Sequence, residues 1–184
     1  KGTAVYTGNF TPPTAPLTAV TNTKLLLNMA DGQVLDSAAQ HNMSLAGNAD
    51  SSTSDKKFGT ASLALDGTGD GAFVREVQDF AGDFTIECWA KAPNTASKFF
   101  WNIGQYRMEL GIYGAILRMY IYPAGYTSFF TGGEFTVDTW HHVAVVRNGT
   151  GSGNIKVYLN GTASSTTISD NQTFVATSGI FIIG

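Results

Sequence analysis

The chain has 184 residues, a formal net charge of −3, and only 14% charged against 43% hydrophobic residues. That balance excludes a disordered chain and offers no basic surface for nucleic acid, while the length suffices to bury a sizeable core unaided. Cys88 is the single cysteine, so no intrachain disulfide supports the fold.

No apolar run approaches the roughly 18 residues of a membrane span. The N-terminus lacks the charged-then-apolar pattern of a secretory leader. The chain starts at Lys1 without an initiator Met and stops at Gly184 inside an apparent strand, which is expected of a fragment or of the ordered part of a longer protein. The 21 glycines, with abundant Thr and Ser, read as an all-β protein with many turns.

Residues 1–22 form a Pro/Thr-rich N-terminal arm. Pro12, Pro13 and Pro16 forbid regular ladder pairing there. Tyr6, Phe10 and Leu17 favour an arm docked on a neighbour over a bare linker. Lys24 to Asn28 is expected to be a short apolar strand, and Asp31 to Asp50 a loop. Ser62 to Asp66 alternates as a strand, Asp66 to Gly71 is a turn, and Ala72 to Val77 is the next strand.

Asp83 to Lys91 is a long alternating strand. It puts Phe84, Ile86, Cys88 and Ala90 on one face and Thr85, Glu87, Trp89 and Lys91 on the other. Lys98 to Gly104, Arg107 to Tyr113, Ala115 to Tyr122 and Tyr126 to Phe130 follow as strands. Thr139 to Arg147, Asn154 to Leu159 and a strand ending at Ile168 then make a meander. Asn148-Gly149 and Asn160-Gly161 turn it, because both residue types tolerate the positive φ of a type I′ turn. No segment combines helical periodicity with caps. Many short strands with turns between them argue for a sandwich.

DFTIECWAK, TWHHVAVVRNG and IKVYLNGT, in this order, resemble the concanavalin A-like jelly-roll superfamily, and within it the laminin G-like and pentraxin-like branch. The matching residues are Phe84, Thr85, Ile86 and Trp89; Trp140, His142, Val143 and Ala144; and Val157, Tyr158, Leu159, Asn160 and Gly161. SLALDGTGDGAFV resembles an earlier turn of the same domains. The resemblance implies an all-β, two-sheet antiparallel jelly-roll sandwich over residues 23–184. It also implies a final strand after Ile180 to Gly184 that this sequence does not contain, leaving a sheet edge open to a continuing chain or a partner. The arm is similar to segments preceding such domains in tailed-phage virion proteins.

Hydrolases of this superfamily carry an E-x-D-x-(x)-E strand, and retaining chemistry needs two carboxylates about 5 Å apart. Here Glu87 stands alone on its strand, and Glu109 has no carboxylate two residues away, so no catalytic residue is assigned and the chain is expected not to be an enzyme. Adjacent strand residues point to opposite faces, so His141 and His142 cannot share one metal ion and are expected to be structural.

Ca²⁺ is the one cofactor the resemblance implies. Asp66 and Asp70, flanking a glycine turn, are its candidate ligands, although Asp and Asn also serve as ordinary turn formers. For a glycan, Trp101, Tyr122 and Tyr126 are the candidate exposed aromatics.

The leading expectation is a non-enzymatic virion surface or tail structural/adhesion protein, homo-oligomeric, with a lectin-like domain for assembly or glycan attachment and partner subunits held through the arm. Its location is then the virion surface or the extracellular space. The alternative is a secreted bacterial carbohydrate-binding module; a glycan hydrolase comes third.

Overall fold

The computed structural model describes residues 2–29, 32–39, 41–76, 79–104, 107–130, 134–174 and 179–184. The described residues contain thirteen strands. In chain order these are β1 (Met43–Ala46), β2 (Asp50–Ser52), β3 (Ser62–Ala64), β4 (Gly71–Val74), β5 (Phe84–Ala90), β6 (Lys98–Ile103) and β7 (Met108–Tyr113). They continue with β8 (Ile116–Ile121), β9 (Gly125–Phe129), β10 (His141–Arg147), β11 (Ile155–Leu159), β12 (Thr162–Ile168) and β13 (Phe181–Ile183).

All pairings are antiparallel. One seven-stranded sheet has the order β1-β4-β13-β6-β7-β8-β9, and a four-stranded sheet has the order β12-β11-β10-β5. A small ribbon, β2-β3, stands beside them. Alternation explains why the two large sheets face each other. Met108, Leu110 and Ile112 of β7, with Leu117, Met119 and Ile121 of β8, point inward to one core. Val143, Val145, Ile155 and Val157 meet them from the four-stranded sheet. The all-β antiparallel sandwich read from the sequence is therefore the observed architecture.

Of the two turns of the meander, Asn160-Gly161 is the tight one; at Asn148-Gly149 only Gly149 has positive φ, and residues 148–154 form a longer loop from β10 to β11. Asn160 and Gly161 both have positive φ, 51° and 80°, as a type I′ hairpin demands. Arg147, at the end of β10, is buried yet satisfied. Its guanidinium donates to the carbonyls of Gly82 (2.5 Å), Gln172 (2.6 Å) and Phe80 (2.8 Å), and lies over the rings of Phe84 and Phe174.

Two expectations need correction. Lys24 to Asn28 forms no strand. The backbone of Leu26 is taken instead by the following turn, its N–H donating to Asp36 Oδ1 (2.9 Å) and its carbonyl accepting from Ser37 N–H (2.7 Å). Residues 32–50 are not all loop, because β1 lies there, paired with β4 from Met43↔Val74 to Ala46↔Gly71. Val77, expected to end a strand, lies outside the described residues, and β4 stops at Val74.

Residues 2–10 of the arm lie on the outer face of this chain's own four-stranded sheet. Tyr6 and Phe10 stack on each other (3.5 Å) and pack with Ala144, Val146 and Tyr158. Phe10 N–H donates to the Gly161 carbonyl, and Asn9 Oδ1 accepts from Ala163 N–H. A cavity of about 990 Å³ opens between β5, the terminal strand of that sheet, and the segment around Leu25 to Met29.

Candidate functional site

The register of the seven-stranded sheet brings a polar, aromatic patch together on its outer face. Because Met108, Leu110 and Ile112 point inward, Glu109 and Tyr113 of β7 point outward. By the same alternation β8 turns out Arg118 and Tyr120, and β9 turns out Tyr126. Asn102 of β6 is directly paired with Glu109, Glu109 with Tyr120, and Tyr120 with Tyr126, so the four stand in one row across four strands. Arg118 sits in the next row, opposite Gly111 and Ser128. Gly111 has a local reason: a Cβ there would stand 2.1 Å from the Lys98 carbonyl oxygen, where β6 bulges.

The patch is closely built. Glu109 is 2% exposed and Asn102 8% exposed, although both belong to the outer face. Tyr126 and Tyr113, 54% and 59% exposed, lie over Arg118, whose guanidinium carbon is 4.4 Å and 4.9 Å from their ring centres. Cation–π contacts of this kind favour a guanidinium close to an aromatic ring. Tyr120 packs against Tyr126, centre to centre 4.9 Å.

The Tyr126 hydroxyl donates to Glu109 Oε1 at 2.8 Å. Burial pushes the Glu109 carboxyl above its usual range, partly offset by that bond, and the bond to Glu109 in turn raises the Tyr126 hydroxyl. Three buried polar atoms of the patch have no hydrogen-bond partner among the described residues: Asn102 Oδ1, Glu109 Oε2 and Arg118 Nε. Buried polar atoms are ordinarily paired, so two acceptors and a donor left without partners on neighbouring strands mark this patch as the candidate site.

The sequence candidates are distributed unevenly. Tyr126 belongs to the patch. Tyr122 is exposed beyond the end of β8, over the Arg107 guanidinium. Trp101 is a correction: expected to be exposed, it is 2% exposed and stacks on Phe181 in the core, because the bulge between Phe99 and Trp101 sets its side chain inward. Asp66 and Asp70 hold their turn. Asp70 accepts from the N–H groups of Asn48 and Asp66, while Asp66 accepts from the Asn48 side chain and Thr68 N–H. Among the described residues, no group of three or more His, Cys, Asp or Glu side chains could hold a metal ion.

His141 and His142 face opposite ways. His141 packs on Phe135 and hydrogen-bonds Thr136 and Asn160. His142 lies between Phe10 and Trp89, with Nε2 3.1 Å from Glu87 Oε2. Glu87, alone on its strand in the sequence, also accepts from the Tyr6 hydroxyl at 2.7 Å. Sequence reasoning missed Asn102, Glu109 and Arg118 as a group. Their only signal was a polar residue at an outward position on each of three successive strands.

A laminin G-like family model, described as the concanavalin A-like lectin/glucanases superfamily, matches residues 66–184. The chain belongs to that superfamily. Among solved structures, the receptor-binding domain of botulinum neurotoxin C/D mosaic serotype superposes with a TM-score of 0.62 at 15% identity, over 88% of this chain and 42% of that one. The botulinum neurotoxin serotype D ligand-binding domain in complex with N-acetylneuraminic acid gives 0.62 at 16%, over 84% and 40%. Domain 4 of AbnA, an extracellular arabinanase of Geobacillus stearothermophilus, in complex with arabinotriose, gives 0.59 at 15%, over 81% and 76%. These likenesses concern the fold, and the chain spans about two fifths of the toxin structures it matches. No curated protein matches the sequence.

Proposed function

We propose that this domain is a non-enzymatic, lectin-like attachment module that contacts glycans through the outer face of its seven-stranded sheet. The observation that carries the reading is that Asn102 Oδ1, Glu109 Oε2 and Arg118 Nε, without partners among the described residues, belong to neighbouring outward positions of three adjacent strands, with Arg118 against the rings of Tyr113 and Tyr126. Sugar sites combine aromatic rings with a few placed polar groups in this way. Two of the similar structures were solved with a bound sugar, a ligand-binding domain of a toxin and a domain of an arabinanase.

A binding role also fits the surroundings of Glu109. Its neighbours on the face are Asn102, Tyr120, Tyr126 and Arg118, whereas retaining hydrolysis needs a second carboxylate about 5 Å away.

The setting we propose is the surface or tail of a virion, with the module adhering to host glycans and joining partner subunits as a homo-oligomer. The similarity of the arm to segments of tailed-phage proteins supports it. A secreted carbohydrate-binding module is the second reading, favoured by the arabinanase domain, of which this chain covers 76%. Light scattering separates the two, with a symmetric oligomer expected for the virion component and a monomer for the secreted module.

The glycan reading is tested on a glycan array. The wild-type chain is expected to bind, and Arg118→Ala and Tyr113→Ala to lose at least about tenfold in affinity, the scale of one lost polar or ring contact. Binding that both variants retain would place the site elsewhere.

A further inference from the structure

We infer that the Asn102–Glu109–Arg118 patch selects neutral sugars bearing two neighbouring free hydroxyls and rejects anionic ones. This rests on the glycan reading above and adds the class of sugar to it. The argument is a balance of donors and acceptors. Asn102 Oδ1 and Glu109 Oε2 are both acceptors and both lack partners among the described residues. They stand on directly paired residues of adjacent strands, so their Cα atoms lie about 5 Å apart and the side chains can converge on one ligand.

Two acceptors call for two hydrogens. A hydroxyl supplies one hydrogen and still accepts, whereas a carboxylate or sulfate supplies none. The one unpartnered donor, Arg118 Nε, suits an oxygen of the same sugar, since each hydroxyl oxygen that donates to an acceptor can also receive a bond.

An anionic sugar meets the opposite arrangement. Its natural counter-charge, the Arg118 guanidinium, has rings at 4.4 Å and 4.9 Å. The buried Glu109 carboxyl stands in the next row, where low local dielectric makes like charge costly.

Tyr126 covers Glu109: its ring is half exposed and lies against Arg118 and Tyr120, and its hydroxyl donates to Glu109 Oε1. Sugar binding here requires this side chain to turn aside, which would open Glu109 to the sugar while Tyr113 stays on Arg118.

The test is calorimetry of the full chain against arabinotriose, a galactose-terminated oligosaccharide and an N-acetylneuraminate-terminated one. A neutral ligand is expected to bind at least about tenfold tighter than the acidic one. A deoxy analogue of that neutral ligand, lacking one of the two hydroxyls, is expected to lose about 100-fold or more, because a site built to bond hydroxyls penalises their absence. Asn102→Ala and Glu109→Gln should each lose at least about tenfold on the neutral ligand. Glu109→Gln, its negative charge removed, should narrow the gap to the acidic ligand.

Preference of the wild type for the acidic glycan overturns this inference and leaves the glycan reading standing. Neutral binding that survives both Asn102→Ala and Glu109→Gln overturns it as well. Failure of every glycan to bind overturns both.

Discussion

Glu109→Gln is predicted to make the protein more stable at neutral pH while it weakens ligand binding. The wild-type side chain is 2% exposed, with one oxygen bonded to Tyr126 and the other without a partner among the described residues. Burial raises its pKa in the folded state, so the folded protein holds that proton more tightly than the unfolded chain. The stability contributed by the bound proton is complete below the unfolded value of about 4.3 and is lost as pH rises through the folded value.

Glutamine has no charge to desolvate, keeps an oxygen for the Tyr126 hydroxyl, and turns an NH₂ donor toward the unpartnered Asn102 Oδ1 across the strand pair. Pairing one buried acceptor and removing a buried charge should together contribute about 1–3 kcal/mol. For a chain of this size that raises Tm by about 2–12 °C at pH 7. Thermal melts by circular dichroism at pH 7 and near pH 4 measure it, and the gain should shrink toward zero at the acid end. A variant less stable than wild type at pH 7, or a gain independent of pH, would show that Glu109 is a satisfied structural carboxylate and refute the reasoning. Higher stability with weaker binding is the trade-off expected where a site keeps polar groups unpaired for a ligand.

Two other substitutions probe the frame around the site. Arg147→Met removes three hydrogen bonds to the Gly82, Gln172 and Phe80 carbonyls. It should cost about 3–5 kcal/mol, the range for breaking a buried charged network, read as a lower midpoint in urea. A loss under about 1 kcal/mol would mean the loops are held by other contacts. Gly161→Ala places a methyl 1.9 Å from the Phe10 carbonyl oxygen at a φ of 80°. It should release the arm, detected as faster proteolysis within residues 2–10, and cost about 1–3 kcal/mol of backbone strain; an arm as protected as in wild type would contradict its docking on the hairpin.

The positions of β5 and β7 to β12 were legible because apolar and β-branched runs mark them, some with a period-two pattern, and Asn-Gly closes one hairpin locally. Asp83 to Lys91 shows this, with Phe84 in the core and Thr85, Glu87 and Trp89 outside as alternation requires. Lys24 to Asn28 was misread because apolar composition cannot report that the Leu26 backbone is claimed by Asp36 and Ser37. Trp101 was misread because one bulge changes which face a side chain takes, and a bulge leaves no mark in local composition.

The site was the hardest part to see. Asn102, Glu109, Arg118 and Tyr126 are scattered over four strands, and each alone is an ordinary polar or aromatic strand residue.

The sequence by itself determined the class of fold, the hairpin turns and the inward faces of most strands, because these follow from periodicity and positive φ over a few residues. Only the tertiary structure decided which outward residues meet, that the arm lies on the Gly161 hairpin, and that a carboxylate, an amide and a tyrosine-flanked guanidinium stand on neighbouring strands of one face. Those depend on strand register between distant segments, and a shift of one residue would turn each of them to the other face.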